Sequence, residues 1–200
     1  MLNQKRIVID YVSPQVNGGD VFIKRILNEV VNVGAHVLVD GHDVIAASVL
    51  FKHEREKSWS EVRMQLIEND EWQASFFVEK QGFYSYKVQG WVDHGLNWQH
   101  GIERKIQDNQ HVKSELLEGA ELLKPILGRA NGAEQKYLEH CLNVFVDDNR
   151  YEEAITEAQS AQLTFIRSTN TINHDGRRCR CHLYVRVERR LFRHAPKQQC

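Results

Sequence analysis

Two indoles, two imidazoles and two carboxylates fall within residues 91 to 103, Trp91-Val-Asp93-His94-Gly-Leu-Asn-Trp98-Gln-His100-Gly-Ile-Glu103. Imidazoles and carboxylates this close together could hand protons to a substrate, and exposed indole faces could stack on a sugar ring. If the run is extended, alternation puts Trp91, Asp93, Gly95, Asn97 and Gln99 on one side and Val92, His94, Leu96, Trp98 and His100 on the other. No second carboxylate motif and no metal-ligand spacing accompany the run. Its expected role is therefore structural, joining the last strands of a β domain to the helices that follow.

Other constellations carry less chemistry. Cys179-Arg-Cys181-His182, with His174 nearby, resembles half of a metal site, but a single residue between cysteines matches no common structural zinc spacing, and the surrounding arginines repel a cation. Asn17-Gly18-Gly19-Asp20 and Asp40-Gly41-His42-Asp43 lack the ligand order of a calcium loop and the glycine pattern of a nucleotide loop, so turn chemistry accounts for both. There is no nucleophile-elbow serine and no cysteine–histidine pair suited to acyl transfer. No catalytic residue, metal ligand or cofactor site is assigned.

The elements that would position these residues change period along the chain. From residue 5 to about 106 the period is two: Val31, Val33, Ala35, Val37 and Val39 alternate up to Asp40-Gly41, and Ile45, Ala47, Val49 and Phe51 alternate after it, which reads as a hairpin. Further strands are expected at Trp59 to Ile67, Trp72 to Val78 and Phe83 to Val92, with turns at Glu68-Asn-Asp70 and Lys80-Gln-Gly82. Trp72, Phe76, Tyr84 and Tyr86 are expected to fill the core or edge it. After Gln107 the spacing becomes helical. Leu116, Ala120, Leu123 and Leu127 form one stripe, bent or shortened by Pro125 and ended by Gly128; further helices are expected from Ala133 to about Val146 and from about Arg150 to Ala161. Cys141 lies on an apolar face and reads as a small buried hydrophobe. The fold class is β plus α: an immunoglobulin-like antiparallel β-sandwich over residues 5–106, a small helical subdomain over 107–163, and a divergent, poorly structured basic tail over 164–200.

Composition narrows the function. The 200 residues are enough to bury roughly 70% of the unfolded surface without disulfide staples. No apolar run approaches the roughly 20 residues that span a bilayer, and the N-terminus lacks a secretory pattern, so a cytoplasmic protein without membrane partners is expected. From Arg167 onward nine basic residues face only Asp175 and Glu188, which leaves 17 basic against 25 acidic residues in the body. An acidic body disfavours a nucleic-acid ligand, and the tail has no aromatic interleaving to support one.

Several words of the sequence together resemble the N-terminal region of the bacterial α-1,4-glucan:maltose-1-phosphate maltosyltransferase family, of the α-amylase-like glycoside hydrolase clan. They are Arg6-Ile-Val-Ile, Val12-Ser13-Pro14, Asp40-Gly41-His42-Asp43 followed by Ala46-Ala47, Gly82-Phe-Tyr84-Ser-Tyr86, Trp91-Val-Asp93-His94, Trp98-Gln-His100-Gly101 and Glu115-Leu-Leu-Glu118-Gly119-Ala120. The resemblance covers about residues 5 to 163. It implies a β-sandwich and a small helical insertion ahead of a catalytic barrel, in a cytoplasmic homodimer that transfers maltosyl from maltose 1-phosphate to an α-1,4-glucan. Retaining glycosyl transfer needs two carboxyl groups about 5 Å apart at the ends of barrel strands, and this chain has no repeated strand–helix units from which a barrel could be built. The family's catalytic residues therefore have no counterparts here.

From about Thr164 the sequence is expected to leave the family's pattern, and the jump in charge reads as a shifted reading frame or a broken gene. Leu183-Tyr-Val-Arg-Val187 is the only strand candidate in this tail. Three functional readings follow: an accessory portion of a maltosyltransferase that supports the barrel and dimerisation and is inactive alone; a free-standing α-glucan-binding module in which Trp91, Trp98 or Tyr84 forms a stacking platform; and a bare interaction scaffold. Burial or exposure of the indoles separates the first two.

Overall fold

The computed structural model describes residues 7–170, 177–178 and 183–188. Strands β1 (Ile7–Ser13), β2 (Ile23–Ile26), β3 (Val30–Val39), β4 (Ile45–His53), β5 (Ser60–Arg63), β6 (Gln65–Glu68), β7 (Glu71–Phe77) and β8 (Gly82–Val92) come first. Helices α1 (His94–Gln107), α2 (Lys113–Leu127), α3 (Ala133–Val146), α4 (Tyr151–Ala158) and α5 (Ala161–Asn170) follow, and then β9 (Arg177–Arg178) and β10 (Leu183–Glu188). The strands and the helices form two compact units. The chain leaves the first at Trp91, enters the second at Val92, and returns to the first through β9 and β10.

In the strand unit, a four-stranded sheet of order β1-β3-β7-β6 packs against a six-stranded sheet of order β2-β10-β8-β4-β5, in which β9 also pairs with β8. Alternation dictates which side chains lie between the sheets. Val31, Val33, Ala35 and Val37 of β3 are buried, while Val30, Asn32, His36 and Leu38 face solvent. Phe76 of β7 stacks on Phe51 of β4 with ring centroids 4.3 Å apart, and Tyr86 of β8 lies 6.0 Å from Phe76. The Tyr86 hydroxyl donates to the Pro14 carbonyl, which gives a buried phenol its partner.

Two expectations about strands change. The Val31 to Phe51 segment is not a hairpin: β3 pairs with β1 and β7, and β4 pairs with β5 and β8, so residues 40–44 carry the chain from one sheet to the other. A two-residue Asp-Gly signal fixes a turn, but the partner strand is fixed by which apolar faces must meet. The strand expected from Trp59 to Ile67 divides at Met64, whose buried backbone N–H donates to the Ala47 carbonyl at 2.9 Å; β5 joins one sheet and β6 the other, and Leu66 is exposed. In the tail, Leu183–Glu188 is indeed a strand, antiparallel to β8 and parallel to β2, with Val185 buried. The expected Glu68-Asn-Asp70 turn is present, with Asn69 and Asp70 at φ +41° and +68°, the left-handed pair that a tight hairpin between β6 and β7 requires.

In the helical unit the core comprises Trp98, Ile102, Leu116, Ala120, Leu123, Leu138, Cys141, Phe145, Ala154, Ala158, Leu163 and Ile166. The predicted stripe of α2 and the predicted span of α3 are found. The helix expected from about Arg150 to Ala161 is found as α4, and a further helix follows it: Ser160 accepts the Leu163 N–H on its side-chain oxygen at 3.1 Å, capping α5, which runs past Thr164 to Asn170. Helix α5 and strands β9 and β10 thus replace the expected unstructured tail over the residues they cover; 171–176, 179–182 and 189–200 lie outside the described residues.

Candidate functional site

The Trp91 to Glu103 run divides at Asp93. Its carboxylate accepts the backbone N–H groups of Gly95 at 3.1 Å and Leu96 at 3.0 Å, capping α1 at its positive end. Alternation therefore stops at Val92, and a 3.6-residue period takes over about a dozen residues before the Gln107 boundary read from the sequence. The signal was present as Asp93 followed by Trp98, Ile102 and Ile106 at four-residue spacing. On a helix, His94 and His100 point away from the core and are exposed, while Trp98, Gln99 and Ile102 are buried. The imidazoles and carboxylates do not converge on one face.

The three aromatic candidates for sugar stacking all lie in packed interiors. Trp98 is 6% exposed; its indole N–H donates to the Glu115 carbonyl at 2.5 Å, its ring lies 5.9 Å from that of Phe145, and one edge rests on Gly119, where a methyl group would overlap the indole. Trp91, at the end of β8, is 3% exposed and carries the Arg63 guanidinium over its ring at 4.6 Å. Tyr84 is 4% exposed; its hydroxyl accepts the Lys80 backbone N–H at 3.0 Å, and its ring meets His53 edge-on at 4.9 Å. Each ring is in contact with protein groups and nearly closed to solvent. The two indoles lie in different units.

Sequence reasoning passed over Gln99. It is 3% exposed, its amide nitrogen donates to the Ala158 carbonyl at 3.1 Å, and its amide oxygen accepts from the Thr164 hydroxyl at 2.9 Å, so one side chain ties α1 to the end of α4 and to α5. A second network joins α3 to the α4–α5 turn: the Tyr137 hydroxyl donates to Glu157 at 2.5 Å and lies 2.6 Å from the Ser160 oxygen. Burial, with the Glu157 carboxylate, pushes the Tyr137 phenol up. Burial also pushes the Cys141 thiol up to about 12, so it stays protonated and is no nucleophile at neutral pH.

Among the described residues the carboxyls whose acidity is displaced, Glu56, Glu115, Asp148 and Glu153, are all lowered, chiefly by hydrogen bonds from Lys80, Lys105, Lys113 and Arg150. A general acid for glycosyl transfer needs the opposite displacement. Among the described residues no three His, Cys, Asp or Glu side chains are placed to hold a metal, and no helix is long and apolar enough to cross a membrane. The Cys179-Arg-Cys181-His182 candidate and His174 lie outside the described residues.

Comparison with known proteins places this pair of units. Residues 5–189 match domain N/S of α-1,4-glucan:maltose-1-phosphate maltosyltransferase, and the match runs well beyond Thr164, where a departure from the family pattern was expected. The maltosyltransferase of Chlorobaculum tepidum is 36% identical over 80% of this chain and 24% of its own length. That of Methylacidiphilum infernorum is 36% identical over 60% of this chain and 18% of its own length, and that of Myxococcus xanthus 35% over 64% and 20%. The chain thus spans about a quarter, or less, of the curated relatives it matches. With a match that takes in both the strand unit and the helical unit, the chain belongs to the α-1,4-glucan:maltose-1-phosphate maltosyltransferase family.

Proposed function

We propose that this chain is the N-terminal accessory portion of a maltosyltransferase that moves maltosyl from maltose 1-phosphate to α-1,4-glucan. In this reading its immunoglobulin-like sandwich and its helices support a catalytic barrel and a cytoplasmic homodimer, and the chain by itself transfers nothing. The observation that carries the reading is the match to domain N/S over residues 5–189, in a chain that spans 24% of the Chlorobaculum tepidum enzyme. The lowered carboxyls supply no raised general acid and the protonated Cys141 supplies no nucleophile, which agrees with a supporting role. Burial of Trp91, Trp98 and Tyr84 weighs against a glucan-stacking module built on those rings.

Two measurements test this. The chain alone, given maltose 1-phosphate and maltohexaose, is expected to release no phosphate above the enzyme-free blank; release would overturn the supporting role. A chimera in which residues 5–189 replace the matching region of the Chlorobaculum tepidum enzyme is expected to retain maltosyl transfer and to run as a dimer in light scattering. A soluble chimera without transfer activity would sink the reading.

A further inference from the structure

We propose that Asn131 is a site of spontaneous chemical modification: in the folded chain its side-chain amide closes onto the Gly132 backbone nitrogen, loses ammonia, and reopens as aspartate or isoaspartate. Two Asn-Gly pairs occur in the sequence, Asn17-Gly18 and Asn131-Gly132, and every other asparagine precedes a residue with a side chain. Glycine matters because the attacking group is the backbone nitrogen after the asparagine, and the absence of a Cβ leaves its approach open. That nitrogen gives up its proton and bonds to the Asn Cγ; the Cγ–Nδ2 bond breaks, and ammonia leaves carrying the proton. Water then opens the cyclic imide. Breaking the new nitrogen–Cγ bond gives aspartate, whereas breaking the original peptide bond gives isoaspartate, with the main chain rerouted through Cβ and Cγ. Only water is consumed, so no oxidant, reductant or further reactant is required.

The fold separates the two pairs. Asn17 opens a short 3-10 turn, Asn17–Gly19, and stands at φ +52°. Its carbonyl accepts the Asp20 N–H at 3.3 Å, and the Val16 carbonyl accepts the N–H groups of Gly19 at 3.1 Å and Val21 at 3.4 Å. Swinging the Gly18 nitrogen toward the Asn17 side chain rotates the Asn17 carbonyl, so these bonds oppose ring closure. Asn131 lies between α2 and α3, after the buried Ala130 and before Gly132, which precedes the first turn of α3. Both Asn131 and Gly132 are exposed, and among the described residues neither the Asn131 amide and carbonyl nor the Gly132 N–H has a hydrogen-bond partner. No atom lies within 4 Å of the place a Gly132 Cβ would take. Gly132 stands at φ +60° and ψ −120°, a backbone that suits glycine, so the turn that starts α3 itself calls for the residue that makes Asn131 reactive. The products differ in effect. Aspartate places a carboxylate beside the positive end of α3, which favours it. Isoaspartate adds a carbon to the main chain between Ala130 and Leu138, both members of the helical core.

The full chain is to be held folded in mildly alkaline buffer beside a sample unfolded in urea, and both followed by peptide mass mapping with isoaspartate-specific methylation. Asn131 is expected to convert in the folded chain within about threefold of its unfolded rate, while Asn17 is slowed roughly tenfold or more, since local opening must precede its reaction. Asn131→Gln is expected to remove the signal from that peptide and to leave the rate at Asn17 unchanged. An Asn131 amide that stays intact in the folded chain while the unfolded chain converts would overturn the proposal, as would equal slowing of Asn131 and Asn17.

Discussion

The two units treat buried indoles differently. In the helical unit the indole of Trp98, both ends of the Gln99 amide and the phenol of Tyr137 each have a hydrogen-bond partner. In the strand unit the indole nitrogens of Trp72 and Trp91 and the hydroxyl of Ser48 are buried with none among the described residues. An unpartnered buried donor costs about 1–3 kcal/mol, whereas a partnered one contributes about 0.5–1.5 kcal/mol. The same residue type therefore stabilises one unit through its polar atom and the other only through its apolar surface. The acceptors in the helical unit are backbone carbonyls of neighbouring helices, Glu115 in the first turn of α2 for Trp98 and Ala158 at the end of α4 for Gln99.

Breaking the contrast should be easiest at Trp98. Trp98→Ala removes a buried indole facing Phe145 and Gly119 and should cost about 3–5 kcal/mol, read from urea unfolding followed by helical circular dichroism. Gln99→Ala leaves the Ala158 carbonyl and the Thr164 hydroxyl without that partner and should cost about 2–3 kcal/mol in the same measurement. The sharpest test pairs two conservative changes. Trp98→Phe loses the bond to Glu115 and should cost about 1–2 kcal/mol more than Trp72→Phe, which loses no bond; equal costs would refute the contrast. Asp93→Ala should cost about 1 kcal/mol by uncapping α1, with the loss seen as faster amide exchange at Gly95 and Leu96.

The smallest effect separates the units by pH. Lys105 holds Glu115 below the ordinary carboxylate value of 4.5, as Lys80 does Glu56. A carboxyl lowered in the folded state contributes stability above its unfolded pKa, and that contribution is lost as pH falls through the folded value. Glu115 is 19% exposed against 36% for Glu56, so solvent screens the helical pair less. Stability should therefore fall from pH 5 to pH 3, and Glu115→Gln should flatten that fall more than Glu56→Gln does, as measured by midpoint denaturant concentration.

Much of the fold was legible because periodicity is a local property. The alternation of Val31 to Val37, the stripe of Leu116, Ala120 and Leu123, the limits of α3 and the burial of Cys141 follow from side-chain spacing along one element. The Trp91 to Glu103 run was misread from Asp93 onward, where α1 begins about a dozen residues before the expected change of period. Asp93 is compatible with a strand by spacing, and only its two hydrogen bonds to Gly95 and Leu96 commit the chain to a helix.

By itself the sequence determined the inward faces of β3, α2 and α3 and, through its recurring words, the family, while it read α1 as extended and did not mark α5. Tertiary structure decided what no single segment specifies: that β3 and β4 belong to opposite sheets, that β10 returns between β2 and β8, and that Trp91, Trp98 and Tyr84 serve packing. Partner choice depends on which apolar faces exclude water together, and that is a property of surfaces meeting across the chain. The same selection buried the aromatic residues that sequence density had singled out, and left Tyr11, Phe77 and a row of amides facing solvent.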